Sequence, residues 1–176
     1  NFIVLLQHPV FKDQKLSKII FKKTINACKK LKFKIYIIYP NYDPGYKDII
    51  KIIKKLDSKK YIVFKNLDRY DFLALATHSK VLVGNSSSGI LESPSLKIPV
   101  VNIGDRQQLR EQNKNILNAK YNEKDIFLKI HKALRIKKQL RNIKNLHGNG
   151  RSSEKIYRIL KKIKIDSFLL NKNTTY

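Results

Sequence analysis

"VGNSSSGILESPSLKIPVVNIGDRQ", residues 83–107, places glycine, three consecutive serines, one glutamate (Glu92) and one arginine (Arg106) between two apolar runs. The run "VLVGN" (81–85) reads as a short buried strand, and "IPVVNIG" (98–104) reads as another. Residues 87–96 between them read as a short helix. Strand, turn, helix and strand within 25 residues make a crossover unit, and crossover units make parallel sheets.

The same alternation runs outward in both directions. Upstream, strands are expected at 2–9, 33–40 and 61–67, with helices at 13–31, 45–56 and 69–79. Downstream, "NILNA" (115–119) suggests a sixth strand, followed by helices at 123–134, 136–146 and 152–163. Strands apolar on both faces imply a sheet covered on both sides. The expected fold class is α/β, a Rossmann-like three-layer α/β/α parallel sheet. One domain is expected over 1–165, with a tail at 166–176 whose end, "NKNTTY", would fray.

Composition narrows the function classes. The chain has 176 residues, of which 42% are hydrophobic, enough for one core. A single cysteine, Cys28, excludes an internal disulfide framework, fits a reducing, cytoplasmic setting, and reads as a small buried helix residue. No apolar run reaches the ~20 residues of a membrane span. The chain opens on strand-like residues rather than on Met or a charged leader, as an excised piece would. Its net charge of +25 comes from lysines spread over nearly every amphipathic segment, which reads as solvated helix faces rather than a nucleic-acid surface.

In an open α/β sheet, ligands sit beyond the carboxyl ends of the strands. Polar residues and turn formers gather there after five successive strands: His8, Asn41, Asn66, Ser86 with Ser87 and Ser88, and Arg106 with Arg110. Gly84 allows a sharp turn, and Gly89 would allow a ligand close to the backbone. Serine hydroxyls at a helix start suit phosphate. Glu92, about one turn further on, suits two vicinal hydroxyls such as those of a ribose. Together they suggest a nucleotide-sugar. The plainer readings also stand: the serines as an N-cap run, Glu92 as a surface residue, Arg106 and Arg110 as surface ion pairs with Glu111 or Asp105, and His8 as a structural histidine bonded to backbone. His78, His131 and His147 read as structural, and no His, Cys or Asp spacing makes a metal site. Neither a dinucleotide fingerprint nor a P-loop occurs.

"QHP" after the first strand, "YPNYDPG" after the second, the 83–107 block and the late "HGNGRSSEKIYRIL" together resemble the hydrolysing UDP-N-acetylglucosamine 2-epimerases. The likeness is to the branch serving sialic, legionaminic and similar nonulosonic acids, and it runs in order over about residues 2–163. It implies that the chain is the C-terminal, UDP-binding half of a GT-B fold, with the catalytic N-terminal domain absent. It implies His8 and Arg106 as catalytic residues near the diphosphate. Asn41, Asn66, Leu67, Ser86, Ser87, Glu92, Arg106 and Arg110 would be UDP-binding. Its partners would be a UDP-sugar and the missing domain; a homodimer or homotetramer of the full enzyme is compatible with it, and neither membrane, metal nor nicotinamide is implied. The alternatives are a UDP-sugar glycosyltransferase of GT-B shape and a non-catalytic basic module for nucleic acid or polyanions. Lys97 and Leu109 stand where the family commonly has glycine.

Overall fold

The computed structural model describes residues 1–10 and 14–171. Six strands form one sheet: β1 (Phe2–Leu6), β2 (Lys34–Ile38), β3 (Tyr61–Phe64), β4 (Leu82–Gly84), β5 (Val100–Ile103) and β6 (Ile116–Ala119). Their order is β3-β2-β1-β4-β5-β6, and every described pairing is parallel. The order reverses direction between β1 and β4, the place where such sheets open a crevice at their carboxyl edge. The helices are α1 (Gln14–Lys29), α2 (Tyr46–Ile53), α3 (Arg69–His78), α4 (Ser88–Leu91), α5 (Glu123–Ile136), α6 (Ser152–Lys162) and α7 (Ser167–Leu170).

Side-chain alternation along β1 explains the layers. Ile3 and Leu5 face one core with Phe21 and Ile25 of α1, Ile49 of α2 and Ile126 of α5. Val4 and Leu6 face the other, with Ala76 of α3 and Ile90 of α4. Successive residues of a strand point to opposite faces, so a run apolar at every position is buried on both. This is the three-layer Rossmann-like sheet expected of one half of a GT-B fold.

The chain forms two compact units, Asn1–Leu146 and the residues from His147 onward. The first holds the whole sheet. The second holds α6, with exposed Ile156, Tyr157, Ile159 and Leu160, and α7, which lies at the start of the expected tail. Most of "NKNTTY" (172–176) lies outside the described residues.

Two helices differ from expectation. The helix expected over 87–96 is only Ser88–Leu91. Pro94 disfavours helical backbone at the residue before it, and Ser93 Oγ donates to the Gly89 carbonyl at 2.5 Å. The helix expected over 136–146 is a 3₁₀ turn, Lys137–Leu140. Downstream, Asn113 takes the backbone instead: its Nδ2 donates to the Lys144 carbonyl at 2.6 Å, and its Oδ1 accepts the Leu146 N–H at 3.1 Å. Those groups then satisfy a neighbouring loop rather than a helical ladder.

Gly84 is required where it stands. Its φ is +140°, and a Cβ there would lie 1.9 Å from the Leu6 carbonyl oxygen on the adjacent strand. Gly89 has another reason than the one expected: a Cβ there would meet Val100 Cγ1 at 3.2 Å, so it serves the packing of α4 on the sheet, not the approach of a ligand. Lys97 occupies the left-handed region at φ 55°, where glycine is the easier residue.

Candidate functional site

The carboxyl ends of β1 to β4 open onto a cavity of about 830 Å³. One wall begins at His8. Gly84 ends the β1–β4 ladder, with Leu6 opposite Gly84. The next residue, Asn85, continues the pairing with its side chain. Its Oδ1 accepts the His8 N–H at 2.7 Å and its Nδ2 donates to the His8 carbonyl at 3.0 Å. The amide carries one acceptor and one donor group, and both are spent on one residue of the neighbouring loop.

The His8 ring is fixed from the other side. The Asn41 N–H donates to His8 Nδ1 at 3.0 Å, so Nδ1 is unprotonated and the neutral ring carries its proton on Nε2. Burial, followed by the nearby Arg106 charge, lowers the His8 pKa from 6.5 to about 4. His8 is therefore neutral at pH 7, a hydrogen-bond donor through Nε2–H. It is a structural histidine and a cavity-lining one at once.

Arg106 reaches this wall from the loop after β5. Its Nη1 donates to the Asn85 carbonyl at 3.2 Å, and its Nη2 lies 3.6 Å from Asp43 Oδ2. Asp43 Oδ2 also accepts from Asn41 Nδ2 at 2.7 Å. Buried Gln107 donates a second hydrogen bond to the Asn85 carbonyl, at 3.0 Å. His8, Asn41, Asp43, Asn85, Arg106 and Gln107 thus form one connected network drawn from four loops.

A second part of the cavity's lining carries Ser86, Ser88 and Glu92. Ser88 Oγ donates to Ser86 Oγ at 2.9 Å, which pairs two hydroxyls beside the cavity. Glu92 follows the last residue of α4, and Arg69, the first residue of α3, reaches it: Nη1 to Oε1 is 2.9 Å. Leu6, Ile38, Leu67 and Phe72 give apolar surface, and Asn66 and Lys65 line the β3 side. The cavity therefore offers hydroxyl and N–H donors, one carboxylate acceptor and an apolar floor.

Of the residues singled out from the sequence, His8, Asn41, Asn66, Leu67, Ser86 and Glu92 line this one cavity. Arg106 is tied to its His8 wall through Asn85 and Asp43, rather than paired with Glu111 or Asp105. Ser87 precedes α4 and is not among the lining residues, a place taken by Ser88. Arg110 is not brought to this site: it lines a separate cavity of about 680 Å³ with Asp105, Lys120 and Tyr121. Asn85 and Gln107 stand among the polar residues that follow the fourth and fifth strands in the sequence, though no role attaches to them there, and Arg69 and Phe72 go unmarked. The signal for Asn85 is a polar amide directly after the glycine that ends a buried strand.

A family model describing UDP-N-acetylglucosamine 2-epimerase matches residues 1–161. The chain belongs to the UDP-N-acetylglucosamine 2-epimerase family. It is 34% identical over 174 residues to the UDP-N,N′-diacetylbacillosamine 2-epimerase (hydrolyzing) of Legionella pneumophila, covering 98% of this chain and 46% of that protein. The crystal structure of Methanocaldococcus jannaschii UDP-GlcNAc 2-epimerase in complex with UDP-GlcNAc and UDP shares its fold, with a TM-score of 0.73 and 21% identity over 91% of this chain and 45% of that one. The Neisseria meningitidis UDP-GlcNAc 2-epimerase bound to UDP-GlcNAc is alike at TM-score 0.73 and 18% identity, over 93% of this chain and 45% of the other. The chain thus spans about half the length of these epimerases. Among the described residues, no helix is long and apolar enough to cross a membrane.

Proposed function

We propose that this chain binds the UDP part of UDP-N-acetylglucosamine or a diacetamido analogue, as the nucleotide-holding half of a hydrolysing 2-epimerase. The observation that carries the reading is one cavity at the sheet's carboxyl edge that brings together a neutral histidine, paired serine hydroxyls and a carboxylate. Family membership supports it, and the activity of the Legionella relative supports the diacetamido alternative.

The groups divide by chemistry. The Ser86 hydroxyl, which accepts from Ser88 and keeps its own proton, and the His8 Nε2–H are donors and suit diphosphate oxygens. The Glu92 carboxylate is an acceptor and suits the vicinal hydroxyls of a ribose. Leu67 and Phe72 suit the flat face of a base. In the full reaction a base removes the sugar's C2 proton, the C1–O bond to UDP breaks, and the electron pair forms C1=C2. Water then adds a proton to C2 from the other face and hydroxide to C1, which releases the free N-acetylmannosamine-type sugar. His8 would stabilise the departing UDP by donating to an oxygen where negative charge builds up. Arg106 would act on it through the network that fixes His8.

Glu92 and Asp68 are the carboxylates lining the cavity. Glu92 is committed to Arg69, and the Asp68 side chain caps α3 by accepting the Asp71 N–H. The C2 base is therefore assigned to the half of the relatives' length that this chain does not span. The product would feed nonulosonic acid synthesis in the cytoplasm.

Calorimetric titration tests the binding half of the proposal. The chain should bind UDP, and Glu92→Ala should weaken UDP about 10-fold while leaving pyrophosphate within about 2-fold, since a tenfold change is ~1.4 kcal/mol. Equal losses for both ligands would remove the ribose role. Incubation of the chain alone with UDP-N-acetylglucosamine should yield no free N-acetylmannosamine, and clear turnover would overturn the division into halves.

A further inference from the structure

Glu92 is a poor candidate to recognise anything unaided. It sits at the end of a four-residue helix, and three side-chain torsions separate its carboxylate from the backbone. A diol needs both carboxylate oxygens presented at once, in a plane facing the cavity. Arg69 comes from a different element, the first turn of α3, whose start is fixed by the Asp68 side chain accepting the Asp71 N–H at 2.9 Å. Its guanidinium donates to Glu92 Oε1 at 2.9 Å.

We infer that Arg69 is a positioning residue for ribose recognition: it orients the Glu92 carboxylate so that both oxygens can accept from the 2′- and 3′-hydroxyls of the nucleotide. The inference rests on the UDP-binding reading above. Each carboxylate oxygen accepts two hydrogen bonds, so Oε1 holds the Arg69 N–H and still has a lone pair for a hydroxyl. Oε2 serves the second hydroxyl. The planar fork of arginine fixes the orientation of the carboxylate plane, which a lysine ammonium does not. The pair matters for geometry rather than stability. The Arg69 side chain is 72% exposed, and exposed ion pairs contribute little to folding.

Arg69 and Glu92 both line the cavity, so their pairing lies where a ligand would meet it. Ser86 and Ser88 line the same cavity as Glu92; Ser86 directly follows Asn85, whose side chain holds His8, and Glu92 comes four residues after Ser88. A diphosphate held by the serines and His8 would therefore place the adjoining ribose toward Glu92 and Arg69.

The experiment compares UDP with 2′-deoxy-UDP by calorimetry on the 176-residue chain and its Arg69→Ala and Arg69→Lys variants. The unsubstituted chain should prefer UDP by about 10-fold, roughly the worth of one charge-assisted hydrogen bond. Arg69→Ala should collapse that preference to within about 2-fold, chiefly by weakening UDP, with Arg69→Lys intermediate. The melting temperature should stay near that of the unsubstituted chain. An Arg69→Ala chain that keeps the full preference, or loses both ligands equally, overturns the positioning role while leaving the UDP reading intact. An unsubstituted chain that binds both ligands equally, or binds neither, overturns the ribose reading and this inference with it.

Discussion

The His8 wall of the cavity is joined through backbone groups, whereas the Glu92 wall is joined through side chains. On the first, the His8 N–H and carbonyl, the Asn41 N–H and the Asn85 carbonyl all take part. On the second, a serine hydroxyl pair and an exposed arginine–glutamate contact do the work. Each bond of the first wall ties a side chain to a backbone group, so only one of its two ends can move by a rotamer, while in the second wall both ends can. The contrast matches the tasks proposed for each wall. Stabilising a leaving group requires donors set in place beforehand. Recognising hydroxyls tolerates some adjustment.

The contrast can be broken most severely at Gly84, on which the His8 wall is built. Gly84→Ala would force a Cβ to 1.9 Å from the Leu6 carbonyl oxygen at a positive φ. A loss of ~3 kcal/mol or more in unfolding free energy is expected, read by urea denaturation. Asn85→Ala comes next. It strands the His8 backbone groups and should cost about 2 kcal/mol, while reducing UDP affinity more than the Arg69→Ala change does.

His8 sharpens the comparison through pH. Its folded pKa of about 4 lies below the ordinary 6.5. As pH falls below 6.5 the unfolded chain takes up the proton first, so stability present above pH 6.5 is lost progressively toward pH 4. Thermal unfolding over that range should fall more steeply for the natural chain than for His8→Gln. Parallel curves would show that the ring is not held neutral. The smallest expected effect lies far from both walls. Lys97→Gly relieves a left-handed backbone at φ 55° and should stabilise by up to ~1 kcal/mol, with UDP binding unchanged.

Much of the fold was legible because burial on both faces of a sheet leaves no polar position in a strand. "FIVLL" is such a run, and β1 falls on it. Strand ends were less legible. The run to Pro9 reads as strand, yet β1 stops at Leu6, since an asparagine side chain, not a strand backbone, pairs with His8. The candidate site was legible where residues follow strands directly, as His8, Asn41 and Ser86 do. Arg69 and Phe72 lie on a helix and reach the cavity only through the packing of α3, which leaves no local pattern. Arg106 and Arg110 looked alike in sequence. In the folded loop one joins the Asn85 network and the other lines a different cavity, because four-residue spacing places side chains together only on a helix.

The Asn85 amide acts as a borrowed peptide group. A peptide offers one N–H and one C=O to a neighbouring strand, and Asn85 offers the same pair from a side chain. The sheet's hydrogen-bonding pattern therefore runs one residue beyond its last strand residue, and the loop at His8 inherits the positional accuracy of a strand while its own backbone is free to turn. Aspartate lacks the donor and glutamine is one methylene too long. At this position an ordinarily conservative replacement would detach the histidine from the sheet that aims it.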